Sequence, residues 1–327
     1  MTNATPMVEL WRGPVLESVH HGHAVVCDHM GQVVESWGDS SRIVLPRSSS
    51  KMIQALPLVE SGAAQKYALG SERLALACAS HQGEQRHVDM VNAWLTELGF
   101  GDDDLICGPQ DTRDDALFRR MIREGAPTCR VHNNCSGKHA GFLTLSQHLG
   151  AGPDYTALDH PVQIAVRDAW ERLTEETVAG HGIDGCSAPN FATTLHGVAR
   201  AMAKFAAADP DSTKGQLVHA MAKHPELVAG ENRACTNLMR AMGGRVAIKT
   251  GAEGFFVAII PEKKLGVALK IADGATRAAD TAIAALLIKL GVLDADYPET
   301  AKYINAPIRN WDGLVTGTQR VAPDYIS

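Results

Sequence analysis

Strand-like runs lie at both ends of this sequence and enclose a middle that is helical in pattern. The first strand-like segment runs from Val8 to about Val44, with a hairpin turn at Met30-Gly31. After Gly244 three more follow, RVAIKTG, GFFVAIIP and LGVALKIADG, separated by turn residues. Strands from the two ends form one sheet only if both terminal segments come together. The pattern therefore predicts an α/β (α+β) fold in which helices flank an antiparallel sheet and a mostly helical domain is inserted.

The helical signal is strongest in the middle of the chain. EQRHVDMVNAWLTELG repeats apolar residues at helical spacing and stops at Gly99, and DHPVQIAVRDAWERLTEE has Pro161 near its first turn. A further helix, ATRAADTAIAALLIKLG, follows the last strand-like run. We predict that residues 1–70 and 243–327 form a sheet-containing domain and that 71–242 form a helical domain. The active site is expected between them, in one structural unit.

Composition and charge argue against several classes of function. The net charge is −6 and the basic residues are scattered, so no nucleic-acid-binding surface is expected. No stretch reaches the roughly 18 apolar residues of a membrane span, and the N-terminus lacks a signal-peptide pattern. Seven cysteines without framework spacing favour a reducing compartment over a disulfide-stapled secreted domain. We therefore expect a cytoplasmic protein that acts on a small molecule and contacts no membrane.

One short motif places two chemically useful residues at the start of a helix. In LPRSSSKMIQAL, Ser48 and Lys51 are three residues apart, and residues at this spacing share a helix face. The serine hydroxyl would then lie within reach of the lysine amine. A capping serine beside a solvated lysine explains the same residues, because S-x-x-K occurs by chance on the order of once in a chain this long.

A second motif, Lys249-Thr250-Gly251, lies in the first strand-like run after Gly244. Alone it would occur by chance in roughly one such chain in ten. Together with S-x-x-K on a helix that follows the first strands, it resembles the serine β-lactamase and penicillin-binding-protein superfamily. In that superfamily S-x-x-K lies on a buried helix and K-T-G on a facing strand. The resemblance implies a serine β-lactamase/glutaminase-like fold.

Four segments carry a closer resemblance. They are CASHQGE, NNCSGKHAGF, GIDGCSAPNFA and RVAIKTGAEGFF, and the likeness extends from about Arg12 to Gly274. With these segments the chain resembles the rhizobial-type, or class 3, L-asparaginases, which have the fold of the serine β-lactamases and glutaminases. The resemblance implies hydrolysis of L-asparagine to L-aspartate and ammonia, a homodimer, and a zinc ion near the substrate.

Amide hydrolysis needs an activated nucleophile, an oxyanion site and an acid for the leaving nitrogen. Ser48 is the expected nucleophile and would form a β-aspartyl-enzyme intermediate. Lys51 can act as its base when neutral, a state that burial and the second cation, Lys249, both favour. The resemblance adds Ser80 as the group that relays a proton to the departing nitrogen. By analogy, the backbone N–H groups of Ser48 and Ala252 would stabilise the oxyanion.

Two cysteines and their neighbours carry the metal hypothesis. Spacing alone favours buried structural cysteines, because C-x-x-K replaces the usual C-x-x-C. The resemblance instead implies a zinc ion bound by Cys135, Lys138 and Cys186 with water in the fourth place, supported by His139 and Asp184. Because the serines and lysines already supply a nucleophile, we expect the zinc to orient the substrate.

Substrate contacts are expected from three residues. Arg47 directly precedes Ser48 and would either pair with the α-carboxylate of the substrate or be a surface charge beside the helix start, and His139 and Ala252 complete the set. The segment GENRAC at 230–235 would supply either a substrate contact or only a loop.

Other functions remain open. A penicillin-recognising hydrolase shares both motifs, but the helical middle lacks its S-D-N or Y-x-N triplet. A glutaminase hydrolyses L-glutamine, whose side chain has one more methylene group than that of L-asparagine. A pocket discriminates between the two substrates by only about 10–200-fold unless polar groups enforce the difference. A cysteine amidohydrolase would use Cys135 with His139 or His132 as base. A non-catalytic binding module that has kept a hydrolase fold is also possible. It would have to contain Ser48, Lys51, Ser80 and Lys249 by chance.

Overall fold

The computed structural model describes residues 3–326. Its strands are β1 (Thr5–Arg12), β2 (Val15–Asp28), β3 (Val33–Trp37), β4 (Ile43–Val44), β5 (Gly180–Ile183), β6 (Pro189–Thr194), β7 (Ala247–Gly251), β8 (Phe255–Ile260), β9 (Leu265–Ile271), β10 (Ala306–Arg309) and β11 (Val315–Val321). Its α-helices are α1 (Lys51–Glu60), α2 (Ala63–Lys66), α3 (Ser71–Ala77), α4 (Gln85–Leu98), α5 (Asp115–Glu124), α6 (Ser136–Leu149), α7 (Pro161–Thr174), α8 (Leu195–Ala206), α9 (Thr213–Lys223), α10 (Pro225–Val228), α11 (Ala234–Ala241) and α12 (Thr276–Lys289). Short 3-10 helices occupy Arg47–Ser50, Asp102–Asp104, Arg130–His132, Pro261–Lys263 and Thr300–Lys302.

The chain divides into two compact units. The first comprises Met1–Ser49, Thr194–Ala207 and Asn237–Ser327, and the second comprises Ser50–Thr193 and Ala208–Thr236. The first unit therefore contains the large sheet with α8 and α12, and the second contains most of the other helices. In the part of the chain that the structure describes, no helix has the length and apolar character needed to cross a membrane.

The first unit is built on an eight-stranded sheet. Its strand order is β10-β11-β1-β2-β9-β8-β7, and β3 also pairs with β2. Every pairing is antiparallel. Because β1 lies between β2 and β11, strands from the two ends of the chain are hydrogen-bonded neighbours. This confirms the predicted mixed α/β class with an antiparallel sheet, including the meander of β7, β8 and β9. The β10–β11 hairpin is an addition that the sequence pattern does not predict.

The long strand β2 connects the parts of this sheet. Its first half pairs with β1 and its second half with β3, while β9 runs along its other side. Between β2 and β3 the N–H of Asp28 donates to the carbonyl of Gln32 at 3.0 Å. Gly31 in this turn has a φ of +84°, a left-handed conformation that glycine adopts readily. The predicted turn at Met30-Gly31 is confirmed.

Helices α8 and α12 pack against the sheet of the first unit. All six residues of β8 are buried, so both faces of the sheet are covered there. The closest approach is at Gly266 in β9, where a Cβ would lie 2.1 Å from the nitrogen of Ala203 and 2.2 Å from the oxygen of Ala199. The backbone of α8 therefore rests directly on β9, and only glycine leaves room for it.

The second unit is a cluster of helices with a small hairpin of β5 and β6. Helix α1 packs against α6, α7 and α9, and α3 packs against α6 and α9. The predicted helix ends are confirmed, since α4 is followed by Gly99 with a φ of +80° and α7 begins at Pro161. These helices position the polar segments described below.

Replacing Gly266 with alanine is expected to destabilise the protein by about 1–3 kcal/mol, because the added methyl group forces α8 away from β9. Gly101→Ala is the matched control, since its backbone is extended and no atom lies within 4 Å of the position a Cβ would take. Urea unfolding followed by circular dichroism compares the midpoints. Equal midpoints for the two variants would contradict the close packing.

Candidate active site

The serine cluster forms the start of a helical segment, as the sequence predicts. Arg47–Ser50 is a 3-10 helix that runs directly into α1. Ser49 and Ser50 are completely buried, whereas Ser48 is half-buried. Of the three consecutive serines, Ser48 is therefore the one that a substrate can reach.

In the first unit the K-T-G motif lies on β7 and ends that strand. At Gly251 a Cβ would lie 2.6 Å from the oxygen of Pro46 and 2.6 Å from the Oγ of Ser49, so the strand packs against the start of the serine cluster. Lys249 is completely buried, and its Nζ donates to the carbonyl of Thr250 at 2.8 Å. The first unit thus brings the K-T-G lysine and the serine segment into one neighbourhood.

Two residues expected to contact the substrate also lie in the first unit. Arg47 begins the 3-10 helix with a φ of +53°, which is uncommon for a residue other than glycine. It already has an interaction partner within the chain. Ala252 lies in an exposed turn that follows β7.

Lys51, the first residue of α1, is held inside the second unit. Only 1% of it is exposed, and its Nζ donates to the carbonyl of Ala79 and, at 3.1 Å, to the Sγ of Cys135. The contact with Cys135 joins residues 84 positions apart, and no sequence motif predicts it. It places the expected base against one of the expected metal ligands.

Ser80 lies in the loop that follows α3. Its N–H donates to the carbonyl of Val228 at 2.9 Å, and the N–H of His81 donates to the carbonyl of Asn134 at 3.1 Å. The loop is thus tied on two sides within the second unit. Among the described residues, the Oγ of Ser80 is buried and has no hydrogen-bond partner. Such an unsatisfied buried group requires an explanation, and a catalytic role is one.

The three expected metal ligands lie together in the second unit. Cys135 caps the N-terminus of α6, and Lys138 lies in the first turn of that helix. Cys186 comes from the turn between β5 and β6. The Nζ of Lys138 donates to the Sγ of Cys186 at 3.0 Å, and Cys135 forms a hydrogen bond with the same sulfur.

The groups of this cluster shift the pKa values of Cys186 and Cys135 in opposite directions. The hydrogen bond from Cys135 and the positive charge of Lys138 hold the pKa of Cys186 well below its ordinary value. The same hydrogen bond, together with burial, raises the pKa of Cys135. Burial alone would lower the pKa of Lys138, but its interactions with Cys186 and Cys135 outweigh burial, and the pKa is raised. Lys138 and Cys186 therefore form a buried, hydrogen-bonded pair whose pKa values move in opposite directions.

His139 and Asp184 lie beside this cluster. The Nδ1 of His139 is 2.9 Å from the hydroxyl of Tyr155. Burial and the nearby charge of Lys138 lower the pKa of His139 to about 4, so the ring is neutral at neutral pH. The carboxylate of Asp184 accepts from the N–H of Gly185 at 2.7 Å, and its charge helps to raise the pKa of Lys138.

The donor set suits a zinc ion by its chemistry. Zinc takes sulfur and nitrogen ligands at about 2.3 and 2.0 Å, which separates such a pair by about 3.5 Å in a tetrahedral site. The 3.0 Å between Lys138 and Cys186 would therefore widen by about half an ångström. Within residues 3–326, no group of three His, Cys, Asp or Glu side chains forms a metal site, so the set depends on its lysine. That lysine must lose a proton to bind a metal.

Comparison with known proteins shows what the chain is similar to. No curated protein matches the sequence closely enough to count as a relative. Among solved structures, a β-lactamase from Mycobacterium bovis has a TM-score of 0.44 and 13% identity, covering 83% of this chain and 95% of that one. The octameric penicillin-binding protein homologue from Pyrococcus abyssi has a TM-score of 0.37 and 12% identity, covering 90% of this chain and 80% of that one.

The family comparison is more extensive, because the model of the L-asparaginase II family matches residues 8–321. Since this match spans nearly the whole sequence, the chain belongs to the L-asparaginase II family of amide hydrolases.

Proposed function

We propose that this chain hydrolyses L-asparagine to L-aspartate and ammonia, with Ser48 as the nucleophile and Lys51 as its base. Membership of the family supports the reaction. One observation in the second unit carries the mechanism. Lys51 donates to the carbonyl of Ala79, and the hydroxyl of the next residue, Ser80, is buried with no partner among the described residues. An amine that is hydrogen-bonded to the residue before an unpartnered hydroxyl suits proton transfer between the two groups.

In the first half-reaction, the Oγ of Ser48 forms a bond to the side-chain amide carbon and its proton passes to the neutral amine of Lys51. The amide oxygen becomes an oxyanion, which the N–H groups of Ser48 and Ala252 would stabilise. The carbon–nitrogen bond then breaks, and the proton reaches the nitrogen through the hydroxyl of Ser80. Ammonia leaves, and a β-aspartyl ester of Ser48 remains.

In the second half-reaction, water attacks the ester carbon and gives its proton to the amine of Lys51. The bond between the carbon and the Oγ of Ser48 breaks, and the proton returns to that oxygen as L-aspartate leaves. Lys249, buried on β7, is the second cation of the set. The second proton of the water is released as the new carboxyl group ionises to the carboxylate of L-aspartate.

Cys135, Lys138 and Cys186 are proposed to hold a zinc ion beside these residues. When bound, it would supply a fixed positive centre that attracts polar groups of the substrate. The hydrogen bond between Lys51 and Cys135 supports this assignment, because it makes the base and the donor set neighbours. Since Ser48 already provides the nucleophile, the donor set has a part in orienting the substrate.

The proposal extends to a homodimer that works in the cytoplasm. The dimer follows from the resemblance to the class 3 enzymes, and the cytoplasm follows from the number of cysteines in the sequence. Light scattering coupled to size exclusion would measure a mass of about twice 35.0 kDa if the dimer is present. A mass equal to one chain would contradict it.

The purified protein is expected to release ammonia from L-asparagine, because the family acts on this amide. A coupled ammonia assay measures the rate, with L-glutamine, D-asparagine and nitrocefin as parallel substrates. Faster turnover of L-glutamine would make the protein a glutaminase. Turnover of nitrocefin without release of ammonia from L-asparagine would instead assign it to the penicillin-recognising enzymes.

Ser48→Ala and Lys51→Met are each expected to lower kcat by more than roughly 1,000-fold, because they remove the nucleophile or its base. The double variant should be hardly worse than either single variant, since residues that act as one unit are not additive. Ser49→Ala is the matched control and should stay active. A Ser48→Ala protein that kept a tenth of the wild-type rate would exclude Ser48 as the nucleophile.

Cys135→Ala, Lys138→Met and Cys186→Ala are each expected to lower the zinc content and to raise KM more than they lower kcat, because they weaken substrate orientation. Cys107→Ala is the control, since this buried thiol, whose pKa burial raises to about 12, lies outside the donor set. Mass spectrometry of the metal and steady-state kinetics give the two readouts. An unchanged KM in fully chelated protein would show that the orienting role is wrong.

A further inference from the structure

A cavity of about 440 Å³ lies in the second unit, beside the loop that carries Ser80. Its charged lining combines both signs: the carboxylates of Glu84, Asp114, Asp115 and Glu231 and the guanidinium groups of Arg86 and Arg113. A lining of this kind suits a small ligand that carries both a positive and a negative group. A free α-amino acid is such a ligand.

Hydrogen bonds hold the walls of this cavity in place. The carbonyl of Gln82 accepts from the N–H of Arg113 at 2.7 Å, and the side-chain amide of Gln82 donates to the carbonyl of Glu231 at 2.9 Å. The buried carboxylate of Glu84 accepts from the N–H of Glu231 at 2.7 Å. Two other segments, at Arg113 and at Glu231, are therefore fixed to the loop that begins at Ser80. Arg113 is held close to that loop by its own backbone.

Several of the charges in this lining are already balanced. The Nε of Arg86 lies 3.0 Å from the carboxylate of Glu84, and the Nη1 of Arg86 lies 3.4 Å from the carboxylate of Glu231. The carboxylate of Asp114 accepts two backbone N–H groups at the start of α5. These groups have partners and give the cavity its shape.

Arg113 differs from Arg86. Across residues 3–326, no carboxylate is among the groups that shift the pKa of its guanidinium. Burial and the like charge of Arg233 lower the pKa of Arg113. Arg233 follows Asn232, which also lines the cavity, and its charge acts on Arg113. A guanidinium group can bind the carboxylate of a ligand through two parallel hydrogen bonds.

We propose that Arg113, supported by Arg233, binds the α-carboxylate of the amino-acid substrate in this cavity. The inference rests on the proposed function and names the part of that site that selects a free amino acid over a simple amide. It assigns the binding of the α-carboxylate to Arg113 in place of Arg47. It also gives the GENRAC segment a role, because that segment supplies Glu231, Asn232 and Arg233.

The test compares L-asparagine with 3-aminopropanamide, which is asparagine without its α-carboxylate. Arg113→Met should lower kcat/KM for L-asparagine by about 10–100-fold, mainly through KM, because a charge-assisted hydrogen bond is lost. The same variant should keep kcat/KM for 3-aminopropanamide within about twofold of wild type. Arg113→Lys should restore part of the loss. Arg123→Met, an exposed arginine on α5, is the control and should leave both values unchanged.

The outcomes separate this inference from the proposed function. Equal losses on both substrates, or a selective loss in Arg47→Met but not in Arg113→Met, would overturn it while leaving the asparaginase activity intact. If the wild-type protein released no ammonia from L-asparagine, the proposed function would fail. The cavity is then tested by calorimetric titration with L-aspartate. Binding to wild type that Arg113→Met abolishes supports the carboxylate site, and absence of binding to wild type overturns it.

Discussion

The cost of removing three lysine side chains from water constrains the structure around each of them. Lys51, Lys138 and Lys249 are 1%, 3% and 0% exposed. An ammonium group removed from water destabilises a fold unless it is hydrogen-bonded and paired, and even a paired one stabilises less than apolar side chains of the same volume would. Lys138 donates to the sulfur of Cys186, and the other two lysines donate to main-chain carbonyl groups. Stability alone therefore does not explain why these three lysines are buried.

The sheet could be predicted from the sequence because its strands are local patterns between turn residues. Helix α8 shows where this reasoning ends. Its sequence, LHGVARAMAKFA, has the same period as the other helices, yet α8 packs on β9 in the first unit. Periodicity identifies a helix but not the surface that it covers. That surface is decided by the missing side chain of Gly266, far along the chain. The domain ranges assigned from periodicity alone stay a prediction for the same reason.

The sequence predicts those parts of the candidate site that lie within short motifs. It does not predict the contacts between segments that are distant in the sequence. S-x-x-K begins α1 and K-T-G ends β7, because each motif is read from consecutive residues. The contact between Lys51 and Cys135 joins distant parts of the sequence, and the ionisation of Cys186 depends on groups from another segment. Arg113 belongs to no motif. Its distinguishing property is that no carboxylate of the described chain is among the groups that shift its pKa, which only the folded arrangement reveals.

The contact with Lys51 also bears on the choice between two nucleophiles. Cys135 lies against that lysine and would be the nucleophile of a cysteine amidohydrolase. Such an enzyme needs a thiolate at this position, but the hydrogen bond to Cys186 and burial raise the pKa of Cys135. His139 is a poor base for it, because burial and a neighbouring lysine lower the pKa of the ring to about 4. The same hydrogen bond between the cysteines lowers the pKa of Cys186, so the anion is favoured at Cys186 and disfavoured at Cys135. In the proposed mechanism the half-buried Ser48 loses its proton to Lys51 as it attacks, so it does not depend on an anion formed beforehand.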